Sequence, residues 1–187
     1  MPSVSVTAPL APITIESPFV NLRPWSPGDL DCVSDASTDP AIPSMTTVPA
    51  IFTPESGLAF VARQHGRLVA GEGWALAMAR PGTDDAVGHI GLWLHQVWKG
   101  RVEIGYWVRP SARGRGFAGA ALSMLTQWAF DHLDEVHRVG LSIEPSNTAS
   151  IRTAEGAGFT REALLHHWEV IDGQPRDMWS YRKLRRE

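Results

Sequence analysis

The passage Val102-Glu-Ile-Gly-Tyr-Trp-Val-Arg-Pro-Ser-Ala-Arg-Gly-Arg-Gly-Phe117 constrains the fold more than any other stretch of the chain. Val102, Ile104, Tyr106 and Val108 alternate with Glu103, Gly105 and Trp107, the period of two expected of a strand whose successive side chains face opposite ways. Pro110 ends that strand. Beyond a glycine-rich turn, residues 117–133 set Phe117, Ala121, Met124, Leu125 and Trp128 on one helical stripe. A short apolar strand follows at residues 138–143. Strand, long helix and strand in that order require a right-handed parallel crossover, so the sheet must hold at least one parallel pair.

The remaining segments arrange themselves around this unit. Residues 1–18 mix Pro, Ser, Thr and Ala without apolar periodicity and read as a flexible arm, with a short strand near Ile13 to Ile15. The folded domain is expected over residues 19–187. It opens with an alternating strand through Leu22-Arg-Pro-Trp25 and a helix running to about Ser37. Residues 39–54, rich in Pro, Ser and Thr, read as an irregular loop, and long loops in compact domains are often functional. A helix over residues 55–66 precedes strands at 73–79 and 87–94, although helix competes for 74–79. After the crossover unit, Ser146 or Asn147 caps a helix reaching about Glu155, and Gly156-Ala-Gly158 stops it. Strands near 160–171 and 176–184 close the chain. The fold class is thus α/β (α+β), one domain with a mixed sheet of about six to seven strands and about four helices.

Composition removes several functions. In 187 residues there is one cysteine, Cys32, which allows no internal disulfide and has no Cys or His neighbour at ligand spacing, so no metal site is expected. The formal net charge of −3 offers no general attraction to nucleic acid. No apolar run is long enough to cross a membrane and the N-terminus lacks the pattern of a signal peptide, which makes a cytoplasmic location the expectation. The seven histidines complete no metal site, with His166-His167 reading as an exposed strand or turn pair, and the basic Arg182-Lys-Leu-Arg-Arg186 tail reads as a solvated terminus.

The turn at residues 113–118 carries the chemistry. Gly114 and Gly116 permit backbone conformations closed to other residues, and successive free N–H groups at a helix start form a concave anion site. Phosphate is the natural guest, held by the helix dipole and flanked by Arg113 and Arg115. Gly114, Gly116 and Gly119 also satisfy the dinucleotide fingerprint Gly-x-Gly-x-x-Gly, which leaves a nicotinamide-dependent oxidoreductase as a rival. The acid expected about 20 residues later does not close the next strand, and too little chain remains for a second nucleotide-binding half. A Walker A loop is excluded because no Gly-Lys is followed by Ser or Thr.

Arg113, Gly116 and Ala118, preceded by Glu103-Ile-Gly-Tyr-Trp-Val-Arg-Pro110 and followed by Asn147-Thr-Ala-Ser-Ile-Arg152 and Gly158-Phe159, resemble the two signature blocks of the GNAT acyl-CoA-dependent N-acetyltransferases. Within that family the likeness is to the ribosomal-protein alanine acetyltransferase-like (RimJ/RimL-like) branch, over roughly Phe19 to Leu184. It implies acetyl-CoA as cofactor, with its pyrophosphate on the amides of Arg113, Gly114, Arg115, Gly116, Phe117 and Ala118. It further implies pantetheine along the strand edge at Trp107 and Val108, where backbone groups stay free because two parallel strands part.

The same resemblance supplies catalytic candidates. Glu103 is the candidate base, taking a proton from the amine directly or through water. The tyrosine that many GNAT enzymes place in the second block corresponds to Ala154, so Ser150 becomes the candidate donor to the departing thiolate, and Asn147 a candidate cofactor contact. Ser44, Met45, Thr46, Glu103, Trp107 and Trp168 are candidate acceptor-site residues. The expected reaction is acetyl transfer to a primary amine, a protein α-amino group first. A small amine, or a non-catalytic acyl-CoA-binding module, stands as the alternative, and a homodimer is allowed. Nucleic acid and membrane partners are not expected.

Overall fold

The computed structural model describes residues 9–185. Seven strands form one mixed sheet in the order β1-β2-β3-β4-β5-β7-β6. They are β1 (Asn21–Pro24), β2 (Gly73–Ala79), β3 (Ala86–Trp93), β4 (Arg101–Val108), β5 (Arg138–Ile143), β6 (Thr160–Ile171) and β7 (Gln174–Leu184). Five α-helices accompany them among the described residues: α1 (Leu30–Ala36), α2 (Ala41–Met45), α3 (Pro54–Val69), α4 (Phe117–His132) and α5 (Thr148–Gly156). Among the described strands only β4 and β5 run parallel, as the strand–helix–strand order demands.

Both faces of the sheet are covered, which is why β2 and most of β3 are buried at every position rather than alternately. The even-numbered side chains Val102 and Ile104 join Ala121, Leu122 and Leu125 of α4 in the larger core cluster. Trp107, on the opposite face of β4, joins Trp25, Val33 and Phe60 of the smaller one, beneath α1 and α3. At the centre of that second layer is His89. The Trp25 indole N–H donates to its Nδ1 at 3.1 Å, which places the ring proton on Nε2 in the neutral tautomer. The ring lies nearly parallel to Trp107, with centroids 5.9 Å apart.

Three segments differ from what their sequence suggests. Residues 9–18 are laid against the domain: Leu10 N–H donates to the Leu68 carbonyl, the Trp74 indole donates to the Ala11 carbonyl, and Ile15 bridges Leu22. Leu10, Ile13 and Ile15 pack against the core, so spacing too irregular for a helix or strand still serves a docked extended segment. The part of the expected arm at residues 1–8 lies outside the described residues. The loop expected at 39–54 contains α2, whose entry is marked by the Asp39 carboxylate accepting from Ala41 N–H. The basic tail is engaged too. Arg182 pairs with Glu162, the Lys183 ammonium donates to the Ala157 carbonyl, and Arg185 donates to the carbonyls of Leu133 and Asp134 just past α4.

The remaining termini follow capping chemistry. Thr53 and Ser56 form a reciprocal cap at the start of α3, with Pro54 at its first position. Asp172 and Gly173, both at positive φ, make the two-residue turn between β6 and β7.

Burial and the nearby Arg67 cation push the His89 imidazole down to about 3. Between that value and its ordinary 6.5 the unfolded chain binds a proton that the folded one refuses, so stability falls as the pH drops through this window. His89→Gln should therefore show a shallower loss of stability from pH 6.5 to pH 5, by up to about 1.4 kcal/mol per pH unit, in urea unfolding midpoints taken at each pH.

Candidate active site

The site is built where β4 and β5 separate. Their parallel ladder holds Arg101 to Arg138, Val102 to Val139 and Glu103 to Gly140, and ends there. β4 runs on to Val108 and β5 to Ile143 without pairing to each other, so every second backbone group over residues 104–108 faces a gap instead of a neighbour. Gly105 and Trp107 on one side of this gap, and Leu141, Ser142 and Glu144 on the other, line an open cleft of ≈ 2000 Å³. That exceeds the roughly 300–1,000 Å³ of a drug-sized site and leaves room for two ligands at once.

At one end of the cleft stands the glycine-rich turn. Gly114 (φ 74°) and Gly116 (φ 81°) both occupy the left-handed region, where other residues are strained. Gly116 is the residue before α4 and provides no side-chain cap, so the amides entering the helix have no internal partner until Ala120 N–H meets the Gly116 carbonyl. Phe117 turns its ring inward and stacks on Phe19 at 5.2 Å, fixing the backbone that presents those amides. Ala118 follows in the first turn and lines the cleft, as does Arg115, which is exposed. Arg113 is already occupied. Its Nε donates to the Val108 carbonyl at 3.2 Å and its Nη2 pairs with Asp39 at 2.5 Å, which holds the Asp39 carboxyl below its ordinary range. Asp35 secures the same region from α1, accepting from Ser111 and lying 3.8 Å from Arg109.

The middle of the cleft holds the candidate catalytic groups. Glu103 sits at the last paired position of β4 with its side chain 42% exposed, 3.4 Å from His95 Nε2. Ser150 lies in the first turn of α5, where its N–H donates to the Asn147 side chain at 3.0 Å. Asn147 is thus the helix cap, and it lines the cleft as well. Ala154 is fully buried in the larger core cluster. The sequence reading overlooked the hydroxyl of Tyr106, which reaches from β4 across the gap and donates to the Ser150 carbonyl at 3.3 Å. Burial raises its pKa above the ordinary value, so the phenol keeps its proton at neutral pH. Its signal was available: a strand preceding an anion-binding turn presents every second side chain to the cofactor side.

Beyond Glu103 the cleft widens. Ser44, Met45 and Thr46 of the α2 segment form one wall, and Trp107 contributes from the floor, mostly buried. Trp168 is placed apart from these residues. It is 55% exposed beside the irregularity in β6 and is not among the residues lining the cleft, whereas its neighbours Glu169, Val170 and Ile171 are. The pairing of β6 is irregular there, between Leu165 and Glu169, with His167 at positive φ. Trp93 takes the place on the floor instead. Gly91 and Gly105 face each other across β3 and β4, and the Trp93 indole fills the space they leave: a Cβ on Gly91 would meet Trp93 Cζ2 at 2.3 Å. Among the described residues no group of three His, Cys, Asp or Glu side chains is placed to hold a metal ion.

These features have counterparts in known proteins. The profile of the acetyltransferase (GNAT) domain matches residues 20–160, so the chain belongs to the GNAT acetyltransferase family. The uncharacterized N-acetyltransferase p20 of Bacillus licheniformis is 33% identical over 105 residues, which is 56% of this chain and 58% of that protein. The match therefore spans little more than half of that relative's length. Among solved structures, a GNAT-family acetyltransferase from Bacillus anthracis superposes with a TM-score of 0.76 at 24% identity, covering 92% of this chain and 98% of the other. RimJ of Mycobacterium smegmatis, solved with CoA-disulfide, gives 0.76 at 22% identity over 94% of this chain and 88% of its own. At such identities the likeness is one of fold.

A substitution can test the turn without disturbing it. Gly119 lies in the first turn of α4 among the cleft residues, and a Cβ added there meets nothing within 4 Å. Gly119→Glu should fold normally and weaken binding of CoA by about tenfold or more in calorimetric titration, because it sets a carboxylate beside the free amides. Gly119→Ala should leave that affinity within about twofold.

Proposed function

We propose that the chain is an acetyl-CoA-dependent N-acetyltransferase that acylates a primary amine, foremost the α-amino group of a peptide or protein, by direct attack in a ternary complex. The observation that carries this reading is the conjunction of a parted parallel pair with an uncapped, glycine-shaped helix start at the end of the gap. The fit to CoA is chemical. Bare amides and the helix dipole suit a pyrophosphate, the exposed Arg115 flanks it, and the edge of β4 that faces the gap suits an amide-bearing pantetheine arm. Acetyl-CoA, when bound, supplies the thioester acyl group.

The chain's own groups do the rest. An α-amino group, with an ordinary pKa near 7.7–8.0, must shed its proton before it can attack, and Glu103 accepts that proton directly or through one water. The amine nitrogen bonds to the acyl carbon as the carbon–sulfur bond breaks. An N–H of β4 facing the gap donates to the acyl oxygen while charge builds on it. The sulfur leaves as a thiolate and takes a proton from a hydroxyl. Ser150 and Tyr106 stand on opposite sides of the gap and are joined by the Tyr106 hydrogen bond, so this donor is one of that pair.

An apolar rim favours a polypeptide acceptor. Met45, Trp98 and Val170 line the cleft mouth from three separate segments and are 43%, 65% and 71% exposed. Apolar surface kept in solvent around an open cleft suits a partner that covers it, which a polyamine or free amino acid would not. Acetyl-CoA should bind, and thiol release should depend on added amine, with peptides outpacing small amines across a panel. Binding without release would instead support an acyl-CoA-binding module, and faster turnover of a small amine would support that alternative acceptor.

For Glu103→Gln, CoA affinity should persist while kcat/KM for a peptide falls. The loss should deepen below about pH 8, where the amine is protonated and needs the base, in rates measured from pH 6 to pH 9. A variant profile parallel to that of the wild type would remove Glu103 from the proton transfer.

A further inference from the structure

Arg67 stands alone in the acceptor half of the cleft. Other half-buried arginines have carboxylate partners, Arg23 with Asp29 and Asp84, Arg109 with Asp35, Arg138 and Arg182 with Glu162, while Arg80 lies over the Phe117 ring and Arg185 on backbone carbonyls, both away from the acceptor half. Arg67, near the C-terminal end of α3, lines the cleft, yet its guanidinium makes no hydrogen bond or salt bridge among the described residues. Glu72 attracts it only from a distance. What holds it is an aromatic surface, with its Cζ 4.7 Å from the centre of the Trp93 ring. A guanidinium lying over an indole keeps the N–H donors along its edge free, and those donors match a carboxylate in a two-point geometry.

Trp93 also fixes where Arg67 sits relative to the chemistry. It is the cross-strand partner of Glu103, so the two side chains leave the sheet on the same face. Partners of this kind begin about 4.5–5.5 Å apart. Trp93 thus adjoins the candidate base through its strand position and carries the unmatched cation on its ring. An amine at Glu103 and an anion at Arg67 would be separated by on the order of two residues of extended chain. A free amino acid, whose amine and carboxylate share one carbon, is too short for that span.

We propose that Arg67 is a specificity-determining residue that selects peptide acceptors with a carboxylate side chain at the second or third position. This rests on the acetyltransferase reading above. Arg67 receives the acidic side chain while the terminal amine is presented to Glu103, and Trp93 forms the floor between them. An acidic residue so placed adds attraction without competing for the base, whereas a basic one meets like charge.

The test is a set of peptides identical except for their second or third residue, Asp or Glu against Asn or Gln, with kcat and KM measured separately. The wild type should favour the acidic peptides by about tenfold or more in kcat/KM, chiefly through KM, and the advantage should shrink with salt. Arg67→Gln should erase the preference, Arg67→Lys should keep part of it and Arg67→Glu should reverse it. Acetyl-CoA affinity, measured by calorimetry, should stay within about twofold in all three, which also reports that they fold. Turnover with no acidic preference in the wild type, or a preference that survives in Arg67→Gln, would overturn the assignment of Arg67 alone. Preferential turnover of free aspartate or glutamate would overturn the peptide span. No turnover of any amine despite acetyl-CoA binding would overturn the transferase reading, and this inference with it.

Discussion

Three residues of parallel pairing between β4 and β5, and the loss of pairing after Glu103 and Gly140, set out the rest of the molecule. A continuous ladder would satisfy every backbone group of β4 and leave nothing to receive a ligand. Parting the strands exposes a polar edge in the middle of a sheet otherwise covered on both faces, and that is tolerable only where solvent or a ligand can reach it. The gap is kept open by groups that span it or flank it. Tyr106 crosses to α5, Arg113 ties the end of β4 to Asp39, and the Phe117–Phe19 stack fixes the turn that follows.

The crossover unit was legible because it is the part of the chain in which local pattern and global topology agree. The two-residue period of β4 and the long apolar stripe of α4 each have one reading, and the glycines at 114 and 116 mark an anion-binding turn under either of the ligands they suggested. Where the sequence misled, a side chain or segment took its partner from far away. Residues 9–18 lack a period because an extended segment docked by Leu10, Ile13 and Ile15 needs none. Trp168 lies beside a strand irregularity after Leu165 that no local residue announces, so its orientation could not be read from the sequence. The acceptor floor was hidden for the opposite reason. Gly91 and Gly105 look like two weak points in two strands until register brings them face to face and leaves room for Trp93.

The aromatic layer between the sheet and α1 and α3 supports the site from behind. Trp25, His89 and Trp107 are held by a single buried hydrogen bond and by ring stacking, with Phe60 edge-on to Trp25. Because His89 stays neutral there, the layer carries no net charge beneath the floor of the cleft. Glu103 and Arg67, on the acceptor side of the cleft, therefore have no charge beneath them from this layer of rings.

Helix α4 shows what the far end of the chain does for the site. Its carbonyl end meets Arg185, which donates to the Leu133 and Asp134 carbonyls, while its amide end is left bare at the cleft. A helix with one pole neutralised and the other open is an electrical monopole over short distances. A protein of net charge −3 can therefore present a local positive field at the turn. The carbonyl pole is answered by Arg185, so removing that residue would leave both ends of α4 with backbone groups seeking partners.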